Sequence, residues 1–252
     1  MLRYENKIHA IQKIKQELDT YKPLSKKVLN ELKEYYRIGL TYTSNALEGN
    51  SLTETETKIV LEEGITIGGK LIKDHLEALG HSDAYTLLYK IATHDLIREK
   101  DIRDLHKFFY FRIDPKRAGK YRTQQIFITG TESIPTAPRL IKQQMRLFAN
   151  NIQTLKQLHD PIAYAALLHF ELVSIHPFID GNGRCARLLM NLALVNTGYP
   201  ITIIPPIVRS DYINTLKVAQ TTKNIVPFIN FISTMVFEAQ QDQLRLLQSL
   251  AV

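Results

Sequence analysis

The sequence predicts a mainly α protein, a helical bundle carrying one small β-hairpin. Apolar residues recur at three- and four-residue spacing along most of the chain. Helix start and stop signals punctuate those stretches at helix-length intervals. One short run alone, around Ile126–Ile128, alternates as a strand would.

The elements follow in order. "KIHAIQKIKQELDTY" and "PLSKKVLNELKEYYRIGLTYTSNALEG" keep helical spacing, and Gly49 supplies a C-terminal stop. Thr53 and Glu56 have capping-box spacing and start a helix that Gly64 ends. "KDHLEALGHSDAYTLLYKIATHD" and "DIRDLHKFFYFRI" give two more, the second with Asp101 as its expected N-cap. Gly119–Pro138 breaks the pattern and reads as a hairpin or extended flap. Helix resumes with Pro138 in its first turn. Asp160 and Pro161 then open a helix that is apolar almost all round, expected to be the buried centre and to end at His176. "GRCARLLMNLALVNTG", stopped by Gly198, is next, and two helices near "SDYINTLKVAQ" and "PFINFISTMVFEAQQDQLRLLQSL" complete the bundle.

With 252 residues, 44% hydrophobic and 23% charged, the chain has enough apolar surface for a sizeable core. It has no apolar run of membrane-spanning length and no signal-peptide core, so a cytoplasmic protein without a membrane partner is expected. The single cysteine, Cys185, excludes an internal disulfide and a cysteine-rich zinc site; on its helix it is expected to pack as a small buried residue. The net charge of +7 suits nucleic acid or a nucleotide pocket equally, but no nucleic-acid motif accompanies it, which argues against that partner. A homodimer is left open.

Chemistry concentrates in "HPFIDGNGRCAR", His176 to Arg187. Glycines there free backbone N–H groups to face one space, and the following helix start adds partial positive charge, which makes an anion site suited to phosphate. Arg184 and Arg187 are three apart and share a helix face. Asp180 is the one acid in a phosphate-attracting loop, a position that suits a divalent metal. His176 sits where a proton acceptor near neutral pH is useful. The blander alternative is a capped helix start with arginines in surface ion pairs.

The stretch resembles the signature HPFx(D/E)GNGRxxR of the Fic (filamentation induced by cAMP) family and matches it at every specified position. The resemblance implies a Fic-like helical bundle over residues 40–237, with 1–39 an N-terminal helical segment and 238–252 a C-terminal helix extension. It implies transfer of AMP from ATP to a Ser, Thr or Tyr hydroxyl of a target protein. His176 would be the base, and Asp180 would hold Mg²⁺ or Mn²⁺. Gly181, Asn182 and Gly183 would form the anion hole with Asn182 on phosphate, and Arg184 and Arg187 would hold the β- and γ-phosphates. Phe178 would fix the loop, and the flap at Ile126, Phe127 and Ile128 would register the target by strand addition. Upstream, Ser44-Asn45-Ala46-Leu47-Glu48-Gly49 resembles the family's inhibitory motif (S/T)xxxE(G/N), which implies that Glu48 competes with the γ-phosphate for Arg187. Removal of AMP from a modified target, or transfer of another nucleotide or phospho-group, stays open.

Other candidates are weaker. "GITIGGKL" lacks the Ser or Thr that a P-loop needs after its lysine and reads as a turn. His169, Glu171 and His176 resemble part of a deaminase site, but the downstream cysteine pair is absent. His75, His81, His94, His106 and His159 lack ligand spacing and are expected at the surface or as caps. Tyr212 and Asn224 fall where Fic relatives approach the adenine, although Tyr212 equally suits helix packing.

Overall fold

A computed structural model describes residues 4–127 and 134–250. Among them are ten α-helices: α1 (Ile8–Asp19), α2 (Lys26–Ala46), α3 (Glu54–Glu62), α4 (Ile72–Ile91), α5 (Glu99–Tyr110), α6 (Pro138–Leu158), α7 (Pro161–Ile175), α8 (Asn182–Asn196), α9 (Arg209–Thr222) and α10 (Val226–Leu250). A short 3₁₀ turn, Pro206–Val208, leads into α9. No described helix is long and apolar enough to cross a membrane.

The bundle is built around α7 and α8, the most extensively packed pair. In α7 the Asp160 carboxylate accepts the N–H groups of Ile162 and Ala163, and Pro161 occupies the first helical position. Its all-round apolar sequence is buried by α8, α6 and α10. In turn α8 also meets α2, α4 and α5, so its N-terminus is walled by elements from across the sequence. The capping box on α3 is present, with Thr53 and Glu56 bonding each other's backbone N–H groups. Cys185 is fully buried. The helices α2 and α10 run unbroken past residues 40 and 237.

Three expectations change. Asp101 is not the N-cap of α5: the helix starts two residues earlier, and the Asp101 carboxylate reaches back to the Arg98 N–H at 2.8 Å. The flap contains no strand among its described residues, 119–127 and 134–137; Ile128 and the turn of the expected hairpin lie outside the described residues. The physical reason is that a side chain, not a ladder, takes up the local carbonyls. Arg122, 5% exposed, donates to Gln124 O, Thr136 O and His176 O at 2.8, 2.5 and 2.9 Å. Finally, His75, His81 and His106 are buried, while His94 and His159 are exposed. Each buried ring has a specific partner, and two of them have two: His75 Nε2 accepts from Ile67 N–H while its Nδ1 donates to Leu71 O, and His106 Nδ1 accepts from Gly119 N–H while its Nε2 donates to Asp180 O.

Burial pushes His81 and His169 down to about 3 and His106 down to about 4. Their folded values lie below the unfolded value of about 6.5, so the unfolded chain binds more protons between those limits. Stability is complete above about pH 6.5 and falls as pH drops, by about 4 kcal/mol per pH unit once all three titrate in the unfolded state. Against a total near 5–15 kcal/mol, cooperative loss of helix is expected between about pH 4 and 5.5. Circular dichroism across an acid titration checks this; native signal held through pH 4 would contradict it.

Candidate active site

The loop from α7 to α8 carries the signature residues between the two central helices. His176 ends α7 in the left-handed conformation, φ 53°, which is strained for a side-chain-bearing residue and is held there by its neighbours. Arg122 braces it, donating Nε–H to His176 O and its own backbone N–H to Pro177 O. The imidazole Nδ1 lies 3.3 Å from Val173 O, so Nδ1 carries the proton and Nε2 is left as an acceptor. Burial pushes the ring down to about 4, and neutral imidazole therefore prevails at pH 7.

Phe178 is fully buried and stacks on His106 at 3.7 Å. Asn182 closes the loop, its Oδ1 accepting Phe178 N–H and its Nδ2 donating to Phe178 O, both at 2.9 Å. With both ends engaged and 2% exposure, the Asn182 carboxamide shapes the loop. Gly181 is required by its φ of 76° and by Phe109, whose ring would lie 2.6 Å from an added Cβ.

Two arginines line the start of α8, and both meet carboxylates. Arg187, 2% exposed, donates Nη2–H to Glu48 Oε1 at 2.7 Å and to Ser44 O at 2.8 Å, and Nε–H to Ser44 Oγ at 2.9 Å. Ser44 and Glu48 thus meet one guanidinium. The Glu48 carboxylate lies over the first turn of α8: a Cβ on Gly183 would fall 2.3 Å from its Oε1. It thereby lies at the positive end of that helix. Burial acts to raise the Glu48 carboxyl, but the Arg187 and Arg184 charges outweigh it and hold it below the usual range. Even so, 36% of the side chain remains exposed.

Arg184 stacks on Phe109 and donates to Glu77 at 2.8 Å. Glu77 and Asn45, which also faces Arg184 at 3.4 Å, were not singled out from the sequence. The available signal was positional, for Glu77 lies one helical turn before His81 on the buried stripe of α4. Glu77 also accepts from Asn50 Nδ2 at 2.9 Å, which ties the turn after Glu48 to the same carboxylate. Both members of the Glu77–Arg184 pair are buried, at 5% and 3% exposure. Glu77→Gln removes one charge from a buried pair, so it is expected to cost about 3 kcal/mol and lower Tm by roughly 6–12 °C. Scanning calorimetry of the variant checks this, and an unchanged Tm would show that Glu77 does not balance Arg184.

Asp180 accepts Gly181 N–H at 2.6 Å and faces Arg184 at 3.4 Å through Oδ1. Its side chain is 43% exposed, and Oδ2 has no partner among the described residues. That donor set fits Mg²⁺, which takes one or two carboxylates and completes its shell with phosphate oxygens and water. Tyr212 is buried, its ring among His169, Phe228 and Phe231 with the Arg187 guanidinium 5.9 Å from its centre; its hydroxyl accepts from Arg187 at 3.3 Å and meets His169 Nε2 at 2.8 Å. Asn224 is exposed and accepts Val226 N–H at the start of α10. Ile126 is half-buried and Phe127 is 91% exposed.

A model of the Fic/DOC family matches residues 96–194. The protein adenylyltransferase Fic of Drosophila grimshawi is 41% identical over 196 residues, which is 76% of this chain and 40% of that protein. The chain thus spans about two fifths of the length of such curated relatives. Fic-1 of C. elegans superposes with a TM-score of 0.86 at 29% identity, covering 96% of this chain and 72% of the other. A substituted form of Fic-1 gives 0.84 at 30% identity, with the same coverage. Since that likeness runs through the whole bundle as well as the signature loop, the chain belongs to the Fic/DOC family.

Proposed function

We propose that the protein transfers AMP from ATP to a Ser, Thr or Tyr hydroxyl of a target protein in the cytoplasm, and that Glu48 restrains it. The observation that carries this reading is the α7–α8 loop, with a neutral imidazole at one end and an arginine-bearing helix start at the other. The hydroxyl oxygen attacks the α-phosphorus, its proton passes to His176 Nε2, and pyrophosphate leaves. The N–H groups of Gly181, Asn182 and Gly183 and the charges of Arg184 and Arg187 orient the phosphates; such chemistry depends on positioning and charge stabilisation. Asp180 would hold Mg²⁺, which when bound neutralises phosphate charge. The names of the relatives support the same activity.

Mass spectrometry of Glu48→Gly protein incubated with ATP and Mg²⁺ tests the proposal. An AMP adduct on the chain itself or on an added lysate protein is expected. Adducts formed only from another nucleotide donor would redirect it.

The partial exposure of Glu48 also suits a second reading, in which its free face orients a water that removes AMP from a modified protein. Wild-type protein added to AMP-labelled Glu48→Gly protein should then release labelled AMP, and label retained throughout would dismiss this activity.

A further inference from the structure

Positive charge is unevenly placed on this chain. Between Arg103 and Gln124 seven basic residues face two acids, so five of the net +7 charges lie in that one stretch. Arg112 and Arg117 are paired there, with Asp83 and Asp114, and Arg122 is spent on carbonyls. Lys116 and Lys120 are exposed, and among the described residues no carboxylate lies within ion-pair distance of either.

These lysines line a groove of about 200 Å³ together with Arg117, Thr123, Gln124 and Ile179. Its two ends are informative. Ile179 immediately precedes Asp180 in the phosphate loop, and Thr123 and Gln124 lead into Ile126 and Phe127. The groove therefore joins the reaction centre to the flap segment, and a chain presenting its hydroxyl to His176 along that segment crosses it. Cations without counter-ions select a partner of opposite charge and repel a basic one.

We propose that this groove receives an acidic segment of the target protein, next to the acceptor hydroxyl. The proposal rests on the adenylyl-transfer reading and adds the chemical class of its substrate.

The test is fluorescence anisotropy of the full chain with a labelled peptide holding one threonine between runs of glutamate, and with its glutamine counterpart. At low salt the glutamate peptide should bind about tenfold tighter, and added salt should erase the difference. Lys116→Glu combined with Lys120→Glu should abolish the preference; both side chains are exposed, and unchanged circular dichroism would show the fold intact. Equal binding of the two peptides, or unchanged binding by the double variant, overturns the proposal. So does displacement of the glutamate peptide by a lower concentration of single-stranded RNA, which would make the groove a nucleic-acid surface. Self-labelling of Glu48→Gly protein with α-labelled ATP needs no peptide and reports the adenylyl-transfer reading separately.

Discussion

Replacing His176 with Ala in the Glu48→Gly protein is expected to lower transfer of label from α-labelled ATP by about 10²–10⁴-fold, the usual worth of a general base. The background matters because the restraint by Glu48 would otherwise mask the loss. ATP binding should survive, because the imidazole is at the α7 end of the loop while the arginines are on α8. A nucleotide-induced rise in Tm that persists while transfer disappears separates a missing base from a collapsed site. The pH dependence adds a second check. Burial pushes His176 down to about 4, so the base is already unprotonated above that value. The rate should therefore stay level between about pH 6 and 8, without the fall near 6.5 that an ordinary histidine would give. Undiminished transfer by the alanine variant would remove His176 from the mechanism.

Glu48→Gly alone should raise transfer by roughly 10–150-fold over wild type. The figure follows from a charge-assisted hydrogen bond of about 1.5–3 kcal/mol that phosphate no longer has to displace. The same substitution is expected to lower the stability of the nucleotide-free protein, because Arg187 is 2% exposed and loses its counter-charge. Glu48 is partly exposed, so this loss should be smaller than that caused by Glu77→Gln. Magnesium and ATP together should restore Tm. Transfer no faster than wild type, with ATP bound equally well by both, would mean that the carboxylate over Gly183 is not a competitor.

Much of the bundle was legible because its signals are local. Asp160-Pro161 and Thr53–Glu56 carry their own capping chemistry, and the apolar circumference of α7 states its burial. The signature loop was legible for the same reason, with its glycines, histidine and arginines within twelve residues. What escaped depends on distant segments. Glu77 and Arg184 are far apart in sequence, and each alone reads as a helix-surface charge. His106 reads as a surface histidine until Phe178 stacks on it. Around Ile126 the alternation suggested a strand, but periodicity cannot reveal that an arginine four residues earlier binds the carbonyls a partner strand would have used. Asn182 bonds both backbone groups of Phe178, four residues back, a pairing that the residue types of the motif do not state.

Arg122 has a consequence for how the site moves. One guanidinium grips the residue that carries the imidazole and both flanks of the segment expected to meet the target. The two regions share a single fastening, so neither can shift alone without breaking a charge-assisted hydrogen bond. Aim and address are set by the same side chain: whatever tightens the segment also steadies the imidazole, and whatever frees it loosens both.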